Sequence, residues 1–235
     1  MCHALDKISK LYTKVLLESP SAEQALGYVK DRGFTDDIIT KFGIGYCPTS
    51  RVDYIKHEFL TYTDIDKLID IKHLFKVGKN HHSDRFSGRL MFPVRNPIGS
   101  VIGFAARTVT GELPKYLNSS ESEVYRKAHM LFGLDLAKES IYSANKAIIC
   151  EGYTDAMAFH QCGITIAVAC GGTHATKHQI AQIARYTNNI YLAFDSDTAG
   201  EAVTNNTYRL IKEMGLNVGK IDIPQGKDPA EVLLS

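Results

Sequence analysis

Two aspartates one residue apart, Asp195 and Asp197, stand in the segment YLAFDSDTAG directly after a short apolar run. The run predicts a buried strand, and side chains two positions apart on a strand lie on the same face. If strand geometry persists as far as the aspartates, both carboxylates point the same way and repel each other. Solvation, protonation of one carboxyl group or a cation between them would relieve that repulsion. Acidic residues elsewhere in the chain are needed to choose among these alternatives.

Further acidic residues are expected at the ends of neighbouring strands. In the C-terminal part of the chain, short apolar strand segments alternate with helical ones, which predicts a parallel sheet covered by helices on both faces. The strand KAIICE ends at Glu151, and a later strand leads to PQGKDPAE with Asp228. Functional side chains of such sheets collect at the carboxyl ends of the strands. Because hard cations take oxygen ligands from several segments, the combination favours a metal site.

Each acid also has a simpler interpretation. An Asp-x-Asp at a strand end is often a helix N-cap beside a solvated neighbour. Asp155 suits a first-turn carboxylate favoured by the helix dipole, and Asp228 before Pro229 suits an N-cap. LAFDSDTAG is also similar to the signature of haloacid-dehalogenase phosphatases. That fold needs an essential lysine and further acids far downstream, and the chain ends too soon after Asp197 to supply them.

The rest of the chain predicts an α+β subdomain. Helices are predicted over residues 5–18, 20–33 and 35–43, with Ser21 as an N-cap. GRLMFPVRNPIGSVIGFAART predicts a hairpin that turns at Asn96-Pro97-Ile98-Gly99, whereas residues 51–88 are polar and irregular with weak helical patches. The predicted fold class is therefore α/β, in two domains, residues 1–145 and 146–235.

Composition limits the class of protein. The chain has 235 residues, of which 44% are hydrophobic and 23% charged, as in soluble globular proteins. No run approaches the roughly 18 apolar residues of a membrane span, and the N-terminus lacks a signal-peptide stretch. The five cysteines form no CxxC pair, so neither a zinc site nor a disulfide framework is indicated. We expect a cytoplasmic protein that binds no zinc and no membrane.

The net charge of +1 conceals an uneven distribution. Residues 85–127 contain seven basic and three acidic side chains, whereas residues 148–235 contain six basic and nine acidic ones. A basic part suits a phosphate-rich partner, and an acidic part suits cations. Ordinary scatter of surface charge is the alternative.

Several motifs, taken in order along the chain, resemble one family. EGYTDAMAF, FDSDTAG and GKDP are similar to the Toprim domain, which occurs in primases, topoisomerases, recombination mediators and some nucleases. RGFTDDIITKFGIGYCP, DRFSGRLMFPVRNPIGSVIGFAART, PKYLNSSES and YRKAHMLFGLDLAK are similar to the segment before Toprim in bacterial DnaG-type primases and their phage relatives. The resemblance extends from about residue 22 to the end, in order and with similar spacing.

The resemblance implies a DNA-templated RNA polymerase that makes short primers for replication. A primer 3′-hydroxyl would attack the α-phosphate of a ribonucleoside triphosphate, with loss of pyrophosphate. Two or more Mg²⁺ or Mn²⁺ ions would lower the hydroxyl pKa and neutralise phosphate charge. The family assigns catalysis to Glu151, Asp195 and Asp197, with Glu151 as candidate general base. Metal binding falls to the same three acids together with Asp155 and Asp228.

The resemblance gives the basic part a role in binding phosphates. Its arginine forks suit nucleoside triphosphate, the single-stranded DNA template or an RNA–DNA hybrid. The positions that match the family are Arg85, Arg89, Arg107, Lys115, Tyr116, Asn118 and Lys127. Tyr116 is either a stacking platform for a base or a packed tyrosine. ACGGTHAT, before a predicted helix, is either an anion cradle or a tight turn.

The chain departs from the family at several points. Ala230 stands where a second acid often follows the Asp-Pro of the last motif, with Glu231 next. The zinc-binding domain that selects the template, the closing helical bundle and the helicase-binding tail have no counterpart in the sequence. We therefore expect either a catalytic core or a small phage-type or mobile-element enzyme of a bacterial cell. Its zinc-binding domain and its replicative helicase would be separate partners.

Two other classes of protein remain as alternatives. A Toprim nuclease would use the same acids, but it would not need PKYLN or the arginine-bearing hairpin. A nucleic-acid-binding module without catalysis would keep the basic residues and could lose the acids, all of which are present. A topoisomerase is excluded, because it needs a catalytic tyrosine domain for which the chain has no room.

Overall fold

The computed structural model describes residues 1–49, 60–77, 81–172, 174–194, 198–224 and 227–234, with the backbone alone for His81 and residues 198–204. The chain folds into two compact units, Met1–Val94 with Ser100–Lys127 and Arg95–Gly99 with Ala128–Ser235. Residues 128–145 therefore group with the second unit, whereas the domain boundary predicted from the sequence follows them. Across the described residues, every helix is too short or too polar to span a bilayer.

The first unit combines helices with antiparallel strands. Its elements are α1 (Cys2–Glu18), α2 (Glu23–Asp31), α3 (Asp36–Phe42), β1 (Gly45–Cys47), α4 (Tyr62–Asp70), β2 (Leu74–Val77), β3 (His81–Asp84), β4 (Arg89–Arg95), β5 (Val101–Thr108) and β6 (Tyr116–Asn118). One sheet has the order β1-β4-β5-β6, and β2 and β3 form a separate two-stranded sheet. The predicted α+β character and the β4–β5 hairpin are confirmed.

The first three helices follow from local signals. The apolar side chains of α1 recur at helical spacing, and Leu5, Ile8 and Leu16 are buried in the core. The Thr35 hydroxyl caps the start of α3, which ends at Gly43 in the left-handed region. Ser21 is not an N-cap as predicted, because a 3₁₀ turn over Pro20–Ala22 precedes α2 and the Ser19 hydroxyl caps that turn.

Within the described part of residues 51–88, helix α4 agrees with the predicted helical patches, whereas the hairpin of β2 and β3 contradicts the prediction of irregular structure. Helix α4 begins with a capping box in which Thr61 Oγ1 accepts from Asp64 N at 3.2 Å. The Asp64 carboxylate accepts in return from Thr61 N at 3.0 Å and pairs with Lys7 at 2.9 Å. The hairpin of β2 and β3 was not predicted, because its strands show no regular alternation of apolar and polar residues. Phe75 and Val77, two of their apolar side chains, are exposed in the structure.

Tyr12, His73 and Asp84 form a polar network inside the first unit, where the side chains of His73 and Asp84 are 1% and 0% exposed. The Tyr12 hydroxyl donates its proton to Asp84 and lies 2.9 Å from His73 Nε2, which must therefore donate to the hydroxyl oxygen. The other Asp84 oxygen accepts from Phe86 N at 2.7 Å. Burial lowers the pKa of His73; the Asp84 carboxylate opposes this, and the Arg85 guanidinium adds to it.

This network predicts a loss of stability in mild acid. The folded chain keeps His73 neutral, so unfolding below a pH of about 6.5 takes up a proton. The free energy of unfolding should fall as the pH falls from 7 to 5, by at most about 1.4 kcal/mol per pH unit from this residue. Urea denaturation at several pH values measures the slope. His73→Gln should flatten it and the exposed-site control His3→Gln should not; equal slopes in all three proteins would contradict the assignment.

The second unit is built around a parallel sheet. Its elements are α5 (Leu134–Ala144), β7 (Ala147–Cys150), α6 (Tyr153–Gln161), β8 (Ala167–Ala169), α7 (Lys177–Ile183), β9 (Asn189–Ala193), α8 (Thr198–Glu213), β10 (Asn217–Lys220) and α9 (Pro229–Leu233). The strand order is β10-β9-β7-β8, and each neighbouring pair is parallel. The predicted α/β arrangement is confirmed. Its core includes Leu134 and Ile141 of α5, Ile149 of β7 and Leu192 of β9.

Candidate functional site

The order in which strands are added to the second sheet reverses between β7 and β9, although all its strands are parallel. From β7 the chain continues to β8 on one side and then crosses to β9 on the other. Ligands of parallel sheets bind outside the carboxyl ends of the strands at such a reversal. Cys150 of β7 pairs with Ala193 of β9, so Glu151, the next residue, lies at this edge beside the end of β9. Asp195 and Asp197, predicted to share the edge, lie outside the described residues.

The turn after β8 closes against Glu151. The Cys170 and Gly171 N–H groups donate to the carbonyl oxygens of Cys150 and Glu151, each at 3.1 Å. Gly171 has a φ of +66°, and a Cβ there would lie 2.5 Å from the Tyr153 hydroxyl oxygen. The Cys170 and Gly171 N–H groups are thus occupied by backbone acceptors, as the tight-turn interpretation of this part of ACGGTHAT requires.

Asp155 connects two backbone segments of the acidic edge. It is 3% exposed, and its Oδ2 accepts from Gly152 N at 2.9 Å, at the start of α6. Its Oδ1 accepts from Ala230 N at 3.3 Å, in the first turn of α9. Both carboxylate oxygens thus take part in backbone hydrogen bonds, which join the helix that follows Glu151 to the helix that begins beside Asp228.

Asp228 is the N-cap of α9, as its simpler interpretation predicted. Its Oδ1 accepts from Glu231 N at 2.7 Å, and Pro229 occupies the first helical position. Ala230, at the place of the family's second acid, is 4% exposed. The last helix therefore positions two carboxylates, since Glu231 Oε2 accepts in return from Asp228 N at 3.4 Å, and it buries the methyl group of Ala230.

The thiol of Cys170, beside Glu151 and Asp155 at this edge, is unsuited to bind a metal. Burial raises the pKa of the Cys170 thiol to about 12, the Gly172 backbone lowers it, and Glu151 and Asp155 raise it further. The thiol therefore stays protonated, with Sγ 3.3 Å from Gly172 O, and offers no thiolate to a soft metal. Among the described residues, which do not include Asp195 and Asp197, no three His, Cys, Asp or Glu side chains form a metal-binding group. Carboxylates of this kind suit Mg²⁺ or Mn²⁺.

In the first unit, Arg107 lies between two tyrosine rings. It pairs across the sheet with Tyr116, whose hydroxyl accepts from Arg107 Nη1 at 3.1 Å. The Arg107 Cζ atom is 5.4 Å from the centre of the Tyr116 ring and 5.0 Å from that of Tyr28 on α2. Burial raises the pKa of Tyr116, and the Arg107 guanidinium opposes that rise. Tyr116 is thus packed against the Arg107 guanidinium. This contact supports the interpretation of Tyr116 as a packed tyrosine over its interpretation as a platform on which a base stacks.

The other predicted basic residues differ in how they are held. Arg89 is 8% exposed, and its Nη1 donates to the carbonyl oxygen of Pro114 at 2.8 Å, next to the exposed Lys115. Arg85 is half-buried, and its backbone N–H donates to the His73 carbonyl at 3.0 Å. The remaining two, Asn118 on β6 and Lys127 after it, are half-buried and exposed respectively.

Sequence reasoning missed Tyr28 and Arg32. The Arg32 Cζ atom lies 5.5 Å from the Tyr28 ring centre, so two guanidinium groups share one ring. The four-residue spacing of Tyr28 and Arg32 on a predicted helix indicates that they are neighbours on its surface. Their proximity to Arg107 depends on a contact between distant parts of the chain, which the spacing of residues in the sequence does not predict.

Two family models match the chain. Residues 12–138 match the N-terminal domain of the DNA primase catalytic core, and residues 148–233 match a Toprim-like domain. The chain is also 37% identical to DNA primase of Staphylococcus aureus strain COL, over 96% of its own length. It belongs to the DnaG-type primase family. DNA primase of Staphylococcus epidermidis is 34% identical over the same share of the chain.

Solved primase structures share the fold. The DnaG catalytic core has a TM-score of 0.85 at 32% identity, over 99% of this chain and 75% of that one. The zinc-binding and RNA polymerase domains of Aquifex aeolicus primase give a TM-score of 0.88 at 33% identity, over 98% of this chain and 56% of that one. A DnaG catalytic domain bound to single-stranded DNA gives a TM-score of 0.84 at 31% identity, over 99% of this chain and 76% of that one. This primase-family chain spans 38% of the length of its staphylococcal relatives.

The hydrogen bonds of Asp155 give a prediction that separates a structural carboxylate from one that only holds a cation. Asp155→Asn turns an amide N–H₂ toward one of the two backbone N–H donors. It should lower the free energy of unfolding of the metal-free protein by about 1–3 kcal/mol. Removing a carboxylate that serves only a cation relieves like-charge repulsion in the absence of metal, so it should not destabilise that state. Urea denaturation in EDTA measures both effects, and Asp195→Asn is the comparison at the same edge. Stabilisation by Asp155→Asn in EDTA would contradict the bridging role.

Proposed function

We propose that the chain synthesises short RNA primers on single-stranded DNA by divalent-metal-dependent transfer of ribonucleotides. The observation that carries this proposal is the position of Glu151 at the β7–β9 reversal, beside the strand whose sequence continues into Asp195-Ser196-Asp197. Acids that meet at the carboxyl edge of a parallel sheet are suited to hold cations against a triphosphate. Membership of the primase family supports the same activity.

Within this proposal the acids have distinct roles. Glu151, Asp195 and Asp197 carry catalysis, and Glu151 is the candidate general base. Together with Asp155 and Asp228 they hold two or more Mg²⁺ or Mn²⁺ ions, and the chain binds no zinc. Bound ions supply neutralising charge to the triphosphate and lower the pKa of the attacking 3′-hydroxyl. The backbone hydrogen bonds of Asp155 and the N-cap of Asp228 fix the segments from which these carboxylates project.

The basic residues of the first unit are proposed to bind the polyanionic partners. These partners are the ribonucleoside triphosphate, the single-stranded template and the RNA–DNA hybrid. The proposed residues are Arg85, Arg89, Arg107, Lys115, Tyr116, Asn118 and Lys127. The rigid seating of Arg107 supports this role, since an arginine held in one place loses little entropy on binding a phosphate. A related DnaG catalytic domain was solved with single-stranded DNA bound.

We also propose partners outside the chain. In the Aquifex aeolicus primase structure a zinc-binding domain accompanies the RNA polymerase domain, and this chain covers 56% of that structure. A zinc-binding domain that selects the template and a replicative helicase are therefore the expected partners, in the bacterial cytoplasm. Primer synthesis by this chain alone is expected to be weak or to lack sequence specificity.

The primary test is primer synthesis itself. Incubation with single-stranded DNA, Mn²⁺ or Mg²⁺ and labelled ribonucleoside triphosphates should give short RNA products, sized on a gel. Asp195→Asn and Asp197→Asn should abolish them, whereas Glu213→Gln, an exposed acid at the end of α8, should not. Shortened DNA without new RNA would support the Toprim nuclease instead. DNA binding without either product, in the presence of an added primase zinc-binding domain, would support a non-catalytic module.

A second test addresses the basic residues. Log affinity for a single-stranded oligonucleotide should fall linearly with log salt concentration, because phosphate contacts release counterions. Arg107→Gln should weaken binding and reduce the magnitude of the slope by about 0.7, the value for one phosphate contact on a single strand. Lys10→Gln removes an exposed charge from α1 and serves as the control. A slope unchanged by Arg107→Gln would remove Arg107 from the proposed binding surface.

A further inference from the structure

We propose that Tyr28 is a positioning residue that fixes the Arg107 guanidinium for contact with a phosphate. This inference rests on the proposed nucleic-acid binding by Arg107 and assigns the means by which that side chain is held. Tyr28 belongs to α2, a helix to which sequence reasoning gave no part in the chemistry. Arg107 and Tyr116 lie on the paired strands β5 and β6, whereas the Tyr28 ring comes from a helix.

The geometry leaves the guanidinium little freedom. Arg107 is 9% exposed, and its Cζ atom lies within 5.0 Å of the Tyr28 ring centre and 5.4 Å of the Tyr116 ring centre. Both distances fall within the roughly 6 Å over which a cation is attracted to an aromatic ring. The hydrogen bond to the Tyr116 hydroxyl fixes one guanidinium nitrogen, Nη1. Of the two rings, that of Tyr116 belongs to the neighbouring strand, and that of Tyr28 is supplied by α2.

A like charge makes this support necessary. Arg32 lies against the same Tyr28 ring at 5.5 Å, and neither it nor Arg107 forms an ion pair with a carboxylate of the described residues. Two guanidinium groups beside one ring repel each other. Without the ring, Arg107 would gain by moving away from Arg32 toward solvent. The ring therefore holds together two positive charges that have no ion-pair partner among the described residues, where an anionic group can use them.

The ring of Tyr28, and not its hydroxyl, performs this task. The hydroxyl oxygen is buried and has no hydrogen-bond partner among the described residues. Replacement by phenylalanine keeps the aromatic face and removes only that unsatisfied group. Replacement by leucine keeps an apolar side chain of moderate size but removes the aromatic face. The pair Tyr28→Phe and Tyr28→Leu thus separates the interaction with Arg107 from simple packing.

A double-mutant cycle measures the coupling. Affinity for a labelled single-stranded oligonucleotide is determined for wild type, Tyr28→Phe, Tyr28→Leu, Arg107→Gln and the Tyr28→Leu/Arg107→Gln double variant. Tyr28→Leu should weaken binding about threefold to tenfold, and Tyr28→Phe should leave it within about twofold of wild type. In the Arg107→Gln background, Tyr28→Leu should have almost no further effect. Equal losses by Tyr28→Leu in both backgrounds would overturn the proposal.

An NMR measurement tests the positioning without nucleic acid. Aromatic rings at these distances should shift the Arg107 Nε–H resonance, which is assigned by its absence in Arg107→Gln. The shift should persist in Tyr28→Phe and diminish in Tyr28→Leu, with thermal denaturation confirming that both variants are folded. An unchanged resonance in Tyr28→Leu would refute the positioning role. Normal binding by Arg107→Gln together with a lost shift in Tyr28→Leu would instead refute the proposed function of Arg107, and with it the phosphate contact.

Discussion

Parallel pairing of β7 with β9 is the constraint on which the acidic edge depends. The register that places Cys150 opposite Ala193 determines which residues emerge together at the carboxyl end of the sheet. A slip by one residue would turn every side chain of that strand to the opposite face of the sheet and change which residue of β7 stands beside the end of β9. The packing of apolar side chains that stabilises this register therefore also fixes Glu151 beside the end of β9.

The two units hold their charged groups by different means. In the second unit, Asp155 is desolvated and is compensated by two backbone N–H donors, a common way to stabilise a buried carboxylate. In the first unit, Arg107 is compensated by the faces of two aromatic rings and one hydroxyl oxygen. Backbone donors in one unit and aromatic faces in the other thus each hold a charged side chain in place.

The sequence predicted the parts that depend on local periodicity. Continuous apolar strands between helices were sufficient for the α/β fold, and the ends of those strands pointed to Glu151 and Asp228. Contacts between distant segments were not predictable: Asp155 meets Ala230 75 residues away, and Tyr28 meets Arg107 from another element. The β2–β3 hairpin was not predicted from the sequence, because its strands bury little apolar surface and so lack a clear apolar pattern. For Asp195 and Asp197 the prediction still rests on the sequence, since they lie outside the described residues.

Burial of Ala230 limits which side chains the last helix can accept at that position. A carboxylate at that position would enter a site that is 4% exposed and whose backbone N–H already serves Asp155, so two desolvated anions would compete for the same donors. Substitution of Ala230 by an acid is therefore costly unless neighbouring residues change as well, and the carboxylates of this last helix are confined to Asp228 and Glu231, which are less buried.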